Sequence, residues 1–414
     1  MSLFYKGILS NGMRLVVEEI SSVRSVSLGV WVNSGSRDET PATNGMSHFI
    51  EHMMFKGTNK LSARQIAELF DGIGGQVNAF TSKEYTCYYA KVLDEHFKLA
   101  LETLADMLLN SKLAPEELAK ERKVIIEEIK MYEDTPDDQV HDLLAATMYP
   151  DHTLGYTILG PESNLLAFTR EDMVSYLSSH YTPDNLVLAV AGNVKADEVH
   201  RAAEQYFSPL GGKRVSDPQV APVFQANKQV RRKATEQAHI CLATQGYAFD
   251  DPAVYSLILL NNIVGGSSSS RLFQEIREER GMAYSVYSFY SSYRDGGTFG
   301  VYTGTSPIQA QEAVNLIGEI LADLATNGIT NEELRKAKDQ VKGSLMLSLE
   351  STSSRMSRLG KNELLLGKQI TLDETVRRIT EVTLEDINAV AKRVCQGPMA
   401  MSAIGPFEDL KKPN

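Results

Sequence analysis

Among 414 residues there are only three cysteines and one tryptophan. Cys87, Cys241 and Cys395 are odd in number, far apart and outside any CxxC pair. That pattern excludes a disulfide framework, fits a reducing cytosol and leaves each thiol as a small buried hydrophobe. Long apolar runs are also missing: nothing approaches the roughly 20 uninterrupted apolar residues of a membrane helix. The opening residues show neither a signal-peptide pattern nor an Arg-rich amphipathic presequence, so no export or organelle address is expected. Positive charge is in deficit, with 42 Lys and Arg against 53 Asp and Glu and a net charge of -11. A nucleic-acid partner held by a basic surface is therefore not expected, whereas a basic peptide would be attracted.

What is present is a soluble-protein composition, 43% hydrophobic and 23% charged, on a chain too long for one core, since single cores stop growing beyond about 250 to 300 residues. A stretch rich in Gly, Pro and polar residues around 210–222 breaks the periodicity. It divides the chain into a first domain, 1–211, a linker, 212–229, and a second domain, 230–414. In the first part, segments 14–17, 26–32, 85–90 and 185–190 read as strands, and 63–70, 97–109, 115–132 and 170–180 as amphipathic helices.

A similar order returns after the linker. Pro115-Glu-Glu-Leu-Ala-Lys resembles Asn331-Glu-Glu-Leu-Arg-Lys, and at the same offset Leu101, Leu104 and Leu108 fall opposite Ile317, Ile320 and Leu324. The chain reads as a duplicated α+β domain. The second copy serves as an internal control. Glu121 falls opposite Ala337 and Glu128 opposite Ser344, and no His-x-x-Glu-His follows the linker. Chemistry done by these residues belongs to the first half alone.

The segment around His48-Phe-Ile-Glu-His reads as a short helix, capped at its start by Thr43 or Asn44 and ended by Gly57. On it His48 and His52 stand one turn apart, with Glu51 beside them on the same face. Imidazoles are favoured zinc ligands, and a neighbouring carboxylate can take a proton from water at a metal. The alternative is an ordinary helix with two histidines spaced by chance. The flanking Phe49, Ile50, Met53, Met54 and Phe55 make the helix apolar almost all round, and buried imidazoles and carboxylates are costly unless they share a metal or a hydrogen-bond network. A catalytic zinc usually needs a third protein ligand. The helix starting near Pro115 offers Glu116, Glu117, Glu121, Glu127 and Glu128, and the residues alone do not choose among them.

Three segments, His48-Phe-Ile-Glu-His-Met-Met-Phe-Lys-Gly-Thr58, Gln76-Val-Asn-Ala-Phe-Thr-Ser82 and Glu121-Arg-Lys-Val-Ile-Ile-Glu-Glu128, together resemble the pitrilysin or M16 family of zinc peptidases, nearest within it to the mitochondrial processing peptidase β-subunit and its bacterial relatives. The resemblance runs over essentially the whole chain. It implies two homologous domains, each a mostly antiparallel sheet with helices packed on one face, the second inactive. It implies one zinc per chain held by His48, His52 and Glu128, with Glu51 as general base and Glu121 supporting a ligating histidine. Asn78, Ala79 and Phe80 would lie on an edge strand to which an extended peptide adds. Arg277 and Tyr284, at the family's spacing, would hold the substrate carbonyl and stabilise the oxyanion. The implied partners are a peptide or unfolded polypeptide and a second copy of the chain in a homodimer, the implied location a bacterial cytoplasm. The competing expectation is a silent assembly subunit of the same fold, which would have lost the motif that this chain keeps.

Overall fold

A computed structural model describes residues 4–215 and 220–413. Two sheets organise it. The first contains β1 (Phe4–Ile8), β2 (Arg14–Glu19), β3 (Ser25–Val32), β4 (Gln76–Thr81), β5 (Thr86–Leu93) and β6 (Leu186–Gly192), in the order β1-β2-β6-β3-β5-β4. The second contains β7 (Lys228–Arg232), β8 (Ala238–Gln245), β9 (Ala283–Ser292), β10 (Gly297–Thr305) and β11 (Ala400–Gly405), in the order β7-β11-β8-β10-β9. Within the sheets β2 runs parallel to β6 and β11 parallel to β7, and the other pairs are antiparallel. The expected mostly antiparallel, duplicated α+β architecture is what forms.

Alternation along the strands explains how each sheet is covered. On one face of the first sheet, Val26, Leu28, Val30 and Val32 of β3 and Leu186, Leu188 and Val190 of β6 pack in one core with Phe97, Leu101, Leu104 and Leu108 of the helix Phe97–Asn110. The residues between them, Trp31, Val187, Ala189 and Ala191, face the other way and are also buried. Their cover is Met356, Leu359 and Leu364 of the helix Thr352–Leu366, which comes from the second half of the chain. Trp31 donates its Nε1–H to Met356 Sδ at 3.4 Å, and a Cβ on Gly360 would sit 2.2 Å from that same nitrogen. Only glycine lets the helix lie this close to the indole.

The second sheet repeats the arrangement with a helix from the first half: Val140, Leu143 and Leu144 of Pro136–Met148 pack on Cys241, Ala243, Tyr302 and Ile404. The two compact units are therefore not continuous in sequence, because Lys130–Gly155 belongs with the second and Ser348–Thr371 with the first. This differs from a division at the linker. Covering both faces of a sheet takes one more helix than each half keeps for itself, and the other half supplies it, so helices lie on the second face of each sheet as well as the first. Within the range 212–229, residues 216–219 lie outside the described residues, and Lys228 and Gln229 already belong to β7. All three cysteines are free and buried. Among the described residues no helix is long and apolar enough to cross a membrane.

Candidate metal centre

The short helix of the motif runs Met46–Met53. Its start is not the one expected from Thr43 or Asn44. The residue preceding the helix is Gly45, in the left-handed region at φ 99, where a Cβ would meet the carbonyl oxygen of Leu159 at 2.7 Å. Neither the left-handed backbone nor the close approach admits a side chain. Nor does Gly57 end the helix, which stops at Met53, although Gly57 does adopt a positive φ of 107 beyond it. Phe49, Ile50 and Met53 are fully buried in the first core, which holds the helix against the sheet.

One turn apart on this helix, the His48 and His52 rings lie 4.5 Å centre to centre. Glu128, from the long helix Pro115–Glu133, approaches both: its Oε2 is 3.9 Å from His48 Nε2 and 3.7 Å from His52 Nε2. One donor atom from each of the three lies within 4.8 Å of the others, and among the described residues this is the group able to hold a metal ion. Tetrahedral zinc with bonds of about 2.0 to 2.2 Å puts its ligand atoms roughly 3.3 Å apart. The observed gaps are slightly wider than that, so the donor set fits such an ion with small inward movements. His48 Nδ1, the ring nitrogen other than the one nearest Glu128, is buried without a hydrogen-bond partner.

Glu121, two turns before Glu128 and 5% exposed, accepts from the other histidine. His52 Nδ1 stands 2.8 Å from Glu121 Oε1, and Glu121 Oε2 pairs with Lys56 Nζ at 2.6 Å. A hydrogen bond at Nδ1 selects the tautomer whose Nε2 lone pair faces Glu128. Glu51 is 9% exposed and accepts the Thr81 hydroxyl at 2.8 Å. The remaining candidates on the long helix behave as surface residues: Glu116 and Glu127 are exposed, and Glu117 pairs with Lys120 at 2.6 Å.

Electrostatics follow from this packing. Burial pushes the His48 pKa down to about 3, helped by the neighbouring His52, so its imidazole is neutral and available as a ligand at pH 7. For His52 burial also acts downward, but the Glu121 hydrogen bond and the charges of Glu51 and Glu128 outweigh it and the net shift is upward. Glu51 is raised by burial against the opposing Thr81 hydrogen bond. Burial would raise Glu121 too, yet its bonds from His52 and Lys56 win and hold it below the ordinary carboxylate value.

The other expected residues lie elsewhere. Asn78, Ala79 and Phe80 are on β4, an edge strand paired with β5 alone. Asn78 is exposed, and its Oδ1 accepts the Ala79 N–H at 2.8 Å. The half-buried Phe80 side chain packs edge-on against Trp31 at 5.8 Å. Arg277 and Tyr284 belong to the second unit. Arg277 sits in the π-helical turn Phe273–Glu279, its guanidinium 4.8 Å from the Phe273 ring and 5.0 Å from that of Tyr284, which is 78% exposed. The two side chains are thus neighbours. Sequence reasoning missed Lys56, the Thr81 hydroxyl and Glu39, which caps the motif helix. Lys56 stands just beyond the helix, and no periodic pattern marks such a position.

With this geometry in view, similarity to known proteins becomes informative. Residues 14–162 match the insulinase (peptidase family M16) domain and residues 167–341 the peptidase M16 inactive domain. The uncharacterized zinc protease YmxG of Bacillus subtilis is 53% identical over 96% of this chain and 97% of its own. An uncharacterized zinc protease of Streptomyces coelicolor is 43% identical over 97% of this chain and 89% of its own. Among solved structures, a protease from Helicobacter pylori superimposes with a TM-score of 0.93 at 23% identity, covering 98% of this chain and 100% of that one. A peptidase M16 inactive domain from Pseudomonas fluorescens gives 0.92 at 21%, covering both chains fully. Identity above one half across nearly the full length of both chains, with matches to both halves of one family, establishes that this chain belongs to peptidase family M16.

Proposed function

We propose that this protein is a zinc metalloendopeptidase that hydrolyses peptides or unfolded polypeptides, with Glu51 as general base. The observation that carries the reading is the convergence of His48, His52 and Glu128 on one point with the Glu51 carboxylate beside them. Zinc bound there supplies Lewis acidity, polarising a substrate carbonyl and making water a nucleophile near neutral pH. Everything else is done by the chain. Glu51, its Oε2 held by Thr81, takes the proton from the attacking water and passes it to the leaving amine. Glu121, braced by Lys56, keeps the His52 ring in the orientation that a ligand needs.

Substrate is held by main-chain hydrogen bonds along the free edge of β4, beside Asn78, Ala79 and Phe80, which suits peptides of varied sequence. The first half, 1–211, carries the chemistry, and 230–414 contributes to substrate binding through Arg277 and Tyr284, whose guanidinium and phenol are suited to a carbonyl and an oxyanion. Purified protein should contain one zinc per chain and cut a mixed peptide pool, with cleavage lost on chelation and restored by zinc. Zinc content without cleavage of any peptide would reduce the function to metal or peptide binding.

The resemblance to longer M16 enzymes, which enclose substrate with four homologous domains, supports a homodimer in which Arg277 and Tyr284 act on the zinc centre of the second copy. Mixing a Glu51→Gln chain with a Tyr284→Phe chain then regenerates one intact centre per mixed dimer. Activity should return on mixing two nearly inactive proteins. If mass measurements show that subunits have exchanged and no activity returns, completion in trans is wrong.

A further inference from the structure

The motif helix Met46–Met53 is eight residues long, and the first amides of any helix lack intrahelical partners. Gly45 has no side chain with which to cap them, and the nearby Thr43 hydroxyl is engaged with Thr40. The acceptor comes from outside the helix. Glu39, 3% exposed, accepts the Ser47 N–H on Oε1 at 2.8 Å, and on Oε2 both the Gly45 N–H and the Asn44 side-chain amide at 2.9 Å each. Asn44 is itself held, donating to the Thr157 carbonyl at 2.9 Å. A carboxylate here also faces the positive end of the helix dipole.

Glu39 does not stand on a free loop. Residues 35–39 are fastened to the turn that follows β4: the Ser36 N–H reaches the Ser82 carbonyl at 3.2 Å, the Arg37 N–H the Lys83 carbonyl at 2.7 Å, and Arg37 pairs with buried Glu84 at 2.7 Å. A Cβ on Gly35 would lie 2.2 Å from the Ser82 oxygen, so this contact admits only glycine. The same turn directly follows Thr81, the residue that holds Glu51. One short segment thus grips the start of the helix through Glu39 and the support of Glu51 through Ser82 and Lys83. Ser47, whose amide Glu39 takes, immediately precedes His48.

We infer that Glu39 is a positioning residue for the metal centre, setting the first turn of the motif helix so that His48 meets His52 and Glu128. The inference rests on the zinc reading above. Burying a carboxylate this deeply is costly, and burial raises its pKa against the pull of the hydrogen bonds from Asn44, Ser47 and Gly45. A neutral cap would suffice to end a helix. The carboxylate offers two acceptor oxygens to three donors at once, whereas a glutamine has one oxygen and would turn its NH2 toward either Ser47 or Gly45.

The test is Glu39→Gln, read by zinc affinity, by the visible absorption of the cobalt-substituted protein, by kcat and KM separately, and by thermal midpoint. Loss of a partner that orients a metal ligand costs about tenfold or more in metal affinity, and a fall of that size is expected, with altered cobalt bands and a lower kcat at unchanged KM. Glu39→Asp, which keeps both oxygens on a shorter stem, should recover part of each. A variant with a lowered midpoint but wild-type zinc affinity, cobalt spectrum and kcat would overturn the inference, reducing Glu39 to a stabilising cap. If Glu39→Gln does not fold, Glu39→Asp is judged by the same readouts, and wild-type values in all three overturn the inference equally. Failure of the wild-type chain to bind zinc would be a different result, removing the zinc reading and this inference with it.

Discussion

Glu51→Gln should leave zinc bound at wild-type affinity while lowering kcat by about 100- to 10,000-fold, the range that positioned acid–base catalysis supplies. The substitution preserves shape and the acceptor oxygen that Thr81 donates to, so the helix and its buried surroundings keep their packing. What it removes is the ability to take a proton. Glu51 shares a helical face with His48 and His52 but is not one of the three residues whose donor atoms converge, so affinity and turnover should separate. Zinc titration and steady-state cleavage on one preparation measure both. Undiminished turnover in a fully loaded variant would exclude Glu51 as the base.

The second large effect is a contrast between adjacent glutamates. Glu128→Gln should weaken zinc binding by more than the roughly tenfold cost of losing a supporting partner, and Glu127→Gln should leave it unchanged. Successive residues on a helix point about 100° apart. Glu128 Oε2 therefore reaches both imidazoles while Glu127 faces solvent. Competition with a zinc chelator ranks the two variants, and the reverse ranking would overturn Glu128 as third ligand.

The two predictions draw on different sources of information. His48, Glu51 and His52 were legible from spacing, because helical periodicity is local and puts neighbours of three and four positions on one face whatever surrounds the helix. The duplication was legible for a similar reason, as a repeat of apolar phase. It also isolated the acidic positions of the long helix: Glu121 is buried where its counterpart Ala337 is buried, a polar group kept in one copy where the other has a methyl. Burial of β3 and β6 on both faces departs from the expected sheet with helices on one face.

The choice among five glutamates could not be made locally, since it depends on how the helix Pro115–Glu133 is rotated and placed against the motif helix by packing in the shared core. The family resemblance pointed to Glu128, and the packing is where that choice acquires a physical cause. Nor does periodicity say what covers an apolar face. Trp31, Val187 and Ala189 form a second buried surface, and only the tertiary structure brings Thr352–Leu366 across the chain to cover it, with Gly360 against the indole. Glu39 and Lys56 were invisible for the same reason: a carboxylate on a loop and an ammonium past a helix end carry no periodic signal, and their meaning comes from the amides and the carboxylate they meet in space. Short-range geometry along the chain wrote the His48, Glu51 and His52 cluster into the sequence, and packing between distant segments decided which glutamate joins it, the cap and the cover, because those depend on contacts whose cost and gain exist only once the core has formed.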